Sequence, residues 1–347
     1  MTLRSLYLQH FRIYEEIFVE FNPSINLICG PNAKGKTTLL EAIRYAMIGR
    51  SFRTCNPKDL IQNGFHSFFL DLRFLKHGID QVLRFSSQGS ERKILYNHTI
   101  LPNMCSLLGV IQGVVITPDD VQLIKGSPAM RRQFLDIQLS QTDPLYVHHL
   151  TRYARAMRHR NILLKQKQLA TIESWEQEMA HSTAYIVRQR QKIVQELHHL
   201  VSDYYHALSG EIENLILEYQ PSLLSIEPVF FMEQLRKNRH REMLLGHTLT
   251  GPHKDDLSIK IGSREVRLFA SEGQQRSCVN AIHFAEWKRL KSFSEDKNPL
   301  FMIDDVAMSL DTNRKERLME QLKHLGQVFL TTTDPSLLNN AHKIILE

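Results

Sequence analysis

Apolar and polar positions alternate along residues 3–29, in LRSLYLQHFRIYEEIFVEF, and the run closes on the apolar stretch INLIC. A period of two predicts half-buried strands, and the closing run predicts a buried strand feeding the glycine turn behind it. Next, TTLLEAIRYAMIG sets Leu39, Leu40, Ile43, Ala46 and Met47 at three-four spacing, which predicts a helix stopped by Gly49. Alternation returns across residues 65–101, with glycine and serine marking hairpins. From about residue 145 to 245 the texture turns helical, with few glycines. There Trp175, Met179, Ser182, Ile186, Gln189, Ile193, Leu197, Leu200 and Tyr204 share a stripe, predicting a helix of about thirty residues, or about 45 Å. Such a stripe serves packing against a neighbouring helix more often than partner binding. Mixed and strand-like segments resume after residue 250. The pattern therefore predicts a helical lobe, residues 141–247, inserted between the two parts of one domain, residues 1–140 and 248–347.

Composition adds limits rather than a function. The chain has 347 residues, 42% hydrophobic and 23% charged, which suits a globular protein of one large or two modest domains. Lys plus Arg exceed Asp plus Glu by 43 − 37 = 6, a balance that permits a polyanionic partner without demanding one. The cysteines Cys29, Cys55, Cys105 and Cys278 form no C-x-x-C pair, against a zinc site or a disulfide framework and in keeping with a reducing cytoplasm. The first residues lack the apolar core of a signal peptide, and no run of eighteen apolar residues occurs, so a soluble, unanchored cytoplasmic protein is expected.

Chemistry begins at NLICGPNAKGKTTLLEAI. Gly30, Gly35, Lys36 and Thr37 satisfy G-x-x-x-x-G-K-[ST], with Pro31, Asn32, Ala33 and Lys34 between and Thr38 after. Glycines let backbone N–H groups curl around phosphate oxygens, Lys36 reaches the β- and γ-phosphates, and the Thr37 hydroxyl ligates Mg²⁺. The helix that follows adds its positive end. Kinases, GTPases, pumps and DNA machines all use such a grip, so other motifs must decide between them.

A metal and water site needs acids. PLFMIDDV reads as a buried strand ending in Asp304 and Asp305, the form of a Walker B strand. By itself that ending is equally a helix N-cap. Beside a phosphate loop, Asp304 is expected to hold Mg²⁺ with Thr37, and Asp305 to orient or deprotonate the attacking water.

The stretch LFASEGQQRSCVNAIHFAEWKRL resembles the signature motif of the ATP-binding-cassette superfamily, with Ser271, Gly273 and Gln274 at its serine, second glycine and glutamine. A serine and glycine at a helix start can bind anionic oxygen, although the same pair is also an ordinary N-cap. In that superfamily the signature completes the ATP site of the other subunit, so the resemblance implies an ATP-dependent homodimer. Asp311 matches the dimer-facing D-loop aspartate. Within the superfamily the chain is similar to the RecF recombination proteins. The matching segments are LYLQHFRIY, GKTTLLEAI, GRSFRT, TPDDVQLIKGSPAMRRQFLD, RHRNILLK, LTGPHKDDL and ASEGQQRS, in the family's order over nearly the whole chain.

That resemblance implies an α/β fold: an ABC-type ATPase head with a mixed sheet around the P-loop, plus the inserted α-helical lobe. It implies ATP and Mg²⁺ as cofactors and weak, DNA-dependent hydrolysis used as a switch. Single-stranded and gapped or double-stranded DNA, the RecO and RecR proteins and, through them, the RecA recombinase are the implied partners, in repair, replication and the SOS response, with no membrane role. A short-armed structural chromosome ATPase of the SMC type is the alternative, although a true SMC arm is far longer than residues 141–247. A transporter subunit fits poorly, because Thr333 stands where such ATPases carry a switch histidine.

Other positions also depart from the superfamily pattern. Asp305 replaces the usual glutamate, and its shorter arm suggests slow hydrolysis. Ser309 replaces a common D-loop glutamate. Gln112 and Gln122 are both open candidates for the Q-loop glutamine. In the lobe, Leu150, Tyr153, Ala154, Met157, Asn161 and Leu164 are expected on one face of a helix, with Arg152, Arg155, Arg158 and Arg160 away from it. Residues 151–192 hold nine Lys or Arg against three Glu. A charge run is often only a solvated face, yet such a stripe can neutralise phosphates without reading sequence. RKNRHR at 236–241 is a second basic run. His253, Lys254, Asp255 and Asp256 lack strict metal-ligand spacing, so a structural role is expected. Arg53 is expected either to touch nucleotide or to close the head.

Overall fold

Five parallel strands carry the glycine turn. In the sheet Ile25–Cys29 lies between His342–Ile345 and Val328–Thr332, followed by Leu300–Ile303 and Gly113–Ile116. The three central strands are almost wholly buried. A parallel sheet covered on both faces needs uninterrupted apolar runs, which is why INLIC and LFMI do not alternate. The helix Lys36–Ile48 packs on Val328–Thr332, and the helix Glu272–Phe293 on Gly113–Ile116. This computed structural model describes every residue except Cys55 and residues 89–90, 294–297 and 306–310.

The alternating segments form a separate antiparallel sheet, in the order Tyr14–Glu20, Thr2–Phe11, Ser67–Lys76, Ile79–Gln88, Glu91–Tyr96 and Thr99–Ile100. The parallel and antiparallel strands of the expected α/β head are thus divided between two sheets. Tyr45, from the helix after the glycine turn, meets Phe68 and Phe85 of the antiparallel sheet at ring distances of 5.9 and 5.4 Å. Both sheets belong to one compact unit built from Met1–Asp120, Asp203–Ile212 and Glu272–Glu347.

The second unit comprises Val121–Ser202 and Glu213–Ser271. Its helices are Pro128–Ser140, Pro144–Gln166, Pro228–Leu245 and most of Ile172–Ser209, and Asp256–Ile261 pairs with Leu215–Gln220 and Arg264–Glu265 in a three-stranded antiparallel sheet. The boundaries fall at Asp120 and Ser271 rather than at 140 and 247. Ion pairs account for the shift: Arg131 of Pro128–Ser140 grips Asp256 with Nε at 2.6 Å and Nη2 at 3.0 Å, and Arg132 donates to the Asp255 carbonyl at 2.7 Å.

The long helix runs 38 residues, longer than its pattern suggested. Its buried stripe keeps Met179, Ser182, Ile186, Ile193 and Leu197 and also takes in Glu176, Thr183 and Arg190, while Trp175, Gln189, Leu200 and Tyr204 are half-buried. In Pro144–Gln166 the buried seam is Tyr146, Tyr153, Ala156, Arg160 and Leu164. Arg160, expected on the polar face, is fully buried. Its Nη2 stands 3.0 Å from Glu176 and 2.7 Å from Glu242, and its Nη1 donates to Thr248 at 2.9 Å. Burying these charges is tolerated because each is paired and hydrogen-bonded. No helix among the described residues is long and apolar enough to cross a membrane.

Candidate functional site: a phosphate loop facing an acidic strand

The glycine loop leaves the C-terminal end of Ile25–Cys29 and enters Lys36–Ile48 through Gly35, whose φ is 92°. A Cβ at Gly35 would overlap the Tyr14 hydroxyl, which itself donates to the Lys34 carbonyl at 3.2 Å. Ala33 also has positive φ, 68°. Left-handed residues of this kind curl the backbone so that successive N–H groups face one concavity, the arrangement that binds anions. Lys36 Nζ donates to the carbonyls of Gly30 at 2.7 Å and Pro31 at 2.8 Å, so its ammonium is held across the loop mouth.

The acidic strand brings the second half of the site. Asp304 directly follows Leu300–Ile303, and its backbone N donates to Ile116 at 2.8 Å. Thr37 Oγ1 lies 2.9 Å from both carboxylate oxygens of Asp304, although the two residues are 267 positions apart. Thr331 Oγ1 donates to Asp304 at 2.7 Å and accepts from the Asp305 N–H at 2.7 Å. Burial pushes the Asp304 carboxyl above its ordinary range and the Asp305 charge adds to that, against hydrogen bonds from Thr331 and Thr37 and the nearby Arg53 cation. A buried carboxylate beside a hydroxyl is a set of hard oxygen donors, which fits Mg²⁺ completing its shell with water and phosphate. No cluster of three or more His, Cys, Asp or Glu suited to a metal occurs among the described residues.

Together Ile13, Asn32, Ala33, Gly35, Lys36, Thr37, Thr38, Arg53, Asp304, Asp305 and Thr331 line a cavity of about 300 Å³. The predicted loop and acidic residues therefore meet. Thr331 is an addition: the superfamily pattern drew attention to Thr333, which is exposed, whereas Thr331 is buried against Asp304. Glu41 is another. It is fully buried in the helix after the loop and binds Arg12 and Ser51, with Arg53 Nη1 at 3.7 Å. A glutamate set between Leu40 and Ala42 in an apolar run was the available signal. Gln112 is removed as a Q-loop candidate. It precedes Gly113–Ile116 and its carbonyl accepts from Leu300 N, at the end of the parallel strands opposite Asp304.

Ser271, Gly273 and Gln274 are not among the residues lining this cavity. Ser271 is exposed immediately before the helix Glu272–Phe293, and Gln274 donates to Glu211 at 3.1 Å. Asp311 caps Thr312–Leu322 by accepting from Arg314 N at 2.9 Å. Ser309 lies outside the described residues.

In the second unit Arg155 and Arg158 are exposed, while Arg152 pairs with Glu178, Nη2 to Oε2 at 2.5 Å. Buried Arg160 has no route to a phosphate, which corrects its expected role in DNA contact. Of the second basic run, Arg236, Lys237 and Arg241 are exposed and Arg239 is tied to Glu176. His253 accepts from, or donates to, Tyr153 at Nδ1 (2.7 Å) and the Thr248 carbonyl at Nε2 (3.1 Å). A carbonyl only accepts, so Nε2 carries the proton and Nδ1 takes the tyrosine hydroxyl. Burial lowers its pKa to about 4, keeping the ring neutral and structural.

Loop, acidic strand and sheet define an ABC-type P-loop ATPase head, and the family model described as RecF/RecN/SMC N terminal domain matches residues 2–346. A protein of Protochlamydia amoebophila named DNA replication and repair protein RecF is 63% identical over 345 residues, covering 98% of this chain and 96% of its own. The chain belongs to the RecF family. Two solved structures agree, each 27% identical. A recombination mediator RecF of the RecFOR pathway with ATPrS gives a TM-score of 0.91 over 99% of this chain and 96% of its own. The corresponding structure with ATP gives 0.88 over 96% and 92%.

Proposed function

We propose that this chain is an ATP-driven switch of DNA repair. Two copies close over two ATP molecules, hold single-stranded and gapped or double-stranded DNA, hydrolyse slowly and then release it, in the cytoplasm. The observation that carries this reading is the Thr37–Asp304 pair at the mouth of the glycine loop. Family members solved with ATP and ATPrS support the choice of nucleotide.

In this reading the loop N–H groups and Lys36 bind the triphosphate, and Lys36 exchanges its own carbonyl partners for phosphate oxygens. Thr37 and Asp304 supply oxygen ligands for Mg²⁺, which when bound neutralises phosphate charge. Asp305 orients water, and its short arm keeps turnover slow. Ser271, Gly273 and Gln274 cap the terminal phosphate of the neighbouring copy, with Asp311 at the same junction. Arg155 and Arg158 supply phosphate contacts on DNA, with Arg152 joining when Glu178 releases it. RecO and RecR are the proposed partners, delivering RecA to single-strand gaps.

The test is light scattering with and without ATP and DNA. Wild type is expected to dimerise on ATP and to bind gapped or double-stranded DNA more tightly as a dimer, whereas Lys36→Met and Ser271→Arg remain monomeric. A wild type that stays monomeric at saturating ATP and DNA removes the switch.

A further inference from the structure

Glu211 follows the end of the long helix Ile172–Ser209 by two residues, and its carboxylate joins segments that are remote in sequence. Oε2 accepts from Tyr205 Oη at 2.7 Å and from Gln274 Nε2 at 3.1 Å. Oε1 stands 3.4 Å from Arg314 Nη2. Arg314 also reaches Asp311 Oδ2 at 3.6 Å, while Asp311 caps the backbone N of Arg314. The Arg314 guanidinium fills the space beside the signature glycine, since a Cβ at Gly273 would overlap its Nη1. Arg317 donates to the Ser209 carbonyl and lies against Gly210, whose φ is 73°. The signature turn, the Asp311 turn and the end of the long helix are therefore tied to one carboxylate.

We infer that Glu211 is a positioning residue for the two-copy nucleotide site: it holds the signature turn and the Asp311 turn as one unit, so that both meet the neighbour's nucleotide together. This inference rests on the reading of Ser271, Gly273 and Gln274 as acting across a dimer. Chemistry requires a carboxylate here. One oxygen receives a hydroxyl and an amide N–H, and the other faces a guanidinium, so all three partners are donors. A glutamine with its oxygen toward Tyr205 and Gln274 sets its NH₂ against the Arg314 guanidinium. With its oxygen toward Arg314, it forces both the tyrosine hydroxyl and the Gln274 amide to turn from donors into acceptors. Glu211→Gln therefore breaks the junction with almost no change in volume, and the charge-assisted contact to Arg314 goes with it. Because Glu211 and Arg314 are only 28% and 19% exposed, solvent screens the pair less than a surface pair.

The experiment compares wild type, Glu211→Gln, Arg314→Gln, the double variant and Ser271→Arg. It measures ATP affinity of the monomer, ATP-dependent dimerisation and turnover, with thermal melting as the check on folding. Glu211→Gln is expected to bind ATP within about twofold of wild type, while dimerisation weakens roughly tenfold and kcat falls in step. Arg314→Gln should behave alike, and the double variant should add little, the sign of shared coupling. Wild-type dimerisation by Glu211→Gln, with Ser271→Arg monomeric, overturns the role of Glu211 alone. Wild-type dimerisation by Ser271→Arg overturns the two-copy site itself. A parallel loss of ATP affinity and melting temperature in Glu211→Gln overturns positioning in favour of plain structural support.

Discussion

Arg12 clamps the fully buried Glu41 with two parallel contacts, Nη2 to Oε1 at 2.5 Å and Nε to Oε2 at 3.0 Å. Arg12 sits at a φ of 57° in the tight turn between the first two strands, and its Nη1 also donates to the Asp59 carbonyl at 2.8 Å. The pair fastens the N-terminal hairpin, which contributes Ile13 to the cavity wall, onto the helix that starts at Lys36. Arg12→Ala leaves a buried carboxylate short of its main partner, at an expected cost of about 3–5 kcal/mol. Denaturant unfolding measures that cost, and ATP affinity should fall with it.

Thr331 is the test of what the acidic strand needs. Thr331→Val keeps shape and removes both the bond to Asp304 and the one received from Asp305 N. ATP affinity is expected to stay near wild type while turnover drops about tenfold, because only the orientation of the two acids changes. Asp304→Asn should instead abolish the effect of Mg²⁺ on ATP affinity and cut turnover by at least about 100-fold. Nucleotide titrations with and without Mg²⁺ separate the two.

The arginines of the lobe should divide by burial rather than by charge. Arg155→Glu and Arg158→Glu are expected to weaken DNA binding across all sequences and to reduce the slope of log affinity against log salt by about one for each phosphate left without its arginine. Melting temperatures should hardly move. Arg160→Ala should do the reverse, destabilising the fold by about 3–5 kcal/mol by leaving buried Glu242 without its cation and Glu176 with Arg239 alone. Binding isotherms at several salt concentrations, paired with melts, decide.

Two histidines set opposite limbs of the pH profile. Burial disfavours charge on His283, but hydrogen bonds and attraction from Asp120 and Glu286 outweigh it and raise its pKa to about 9. Glu286 lies 2.9 Å away on the same helix and Asp120 at 3.5 Å, with Arg44 of the loop helix acting on both acids. Relative to 6.5 in the unfolded chain, the stability this gives is complete below pH 6.5 and is lost as pH rises toward 9. His253, lowered to about 4, contributes stability that is complete above pH 6.5 and is lost as pH falls toward 4. Stability should therefore peak near pH 6.5, with limb slopes of up to about 1.4 kcal/mol per pH unit. Unfolding across pH 4–9 should show His283→Gln flattening the alkaline limb and His253→Gln the acid one.

Much of the head was readable because its signals are local. The loop spacing, the apolar strand before it and the helix after it depend on neighbours a few residues away, and Gly49 does close that helix in a left-handed cap. The alternation of residues 3–29 and 65–101 likewise forms hairpins whose partners are adjacent in the chain. Where the reading slipped, polarity misled it. Arg160, expected on the polar face, and Glu176 and Arg190, left out of the apolar stripe, are all buried, because each charge is neutralised by a residue on another segment.

The phosphate loop, the acidic strand and the family to which they belong were legible in the amino-acid order alone, since these motifs are short, ordered and carried by backbone geometry. Packing of the whole chain was needed to establish that Thr331 rather than Thr333 supports Asp304, that Glu41 anchors Arg12, and that Glu211 ties Gln274 to Arg314. The physical reason is that a charge or hydroxyl in a linear sequence carries no record of its partner. Whether it faces water or a low-dielectric interior is settled only when distant segments pack around it.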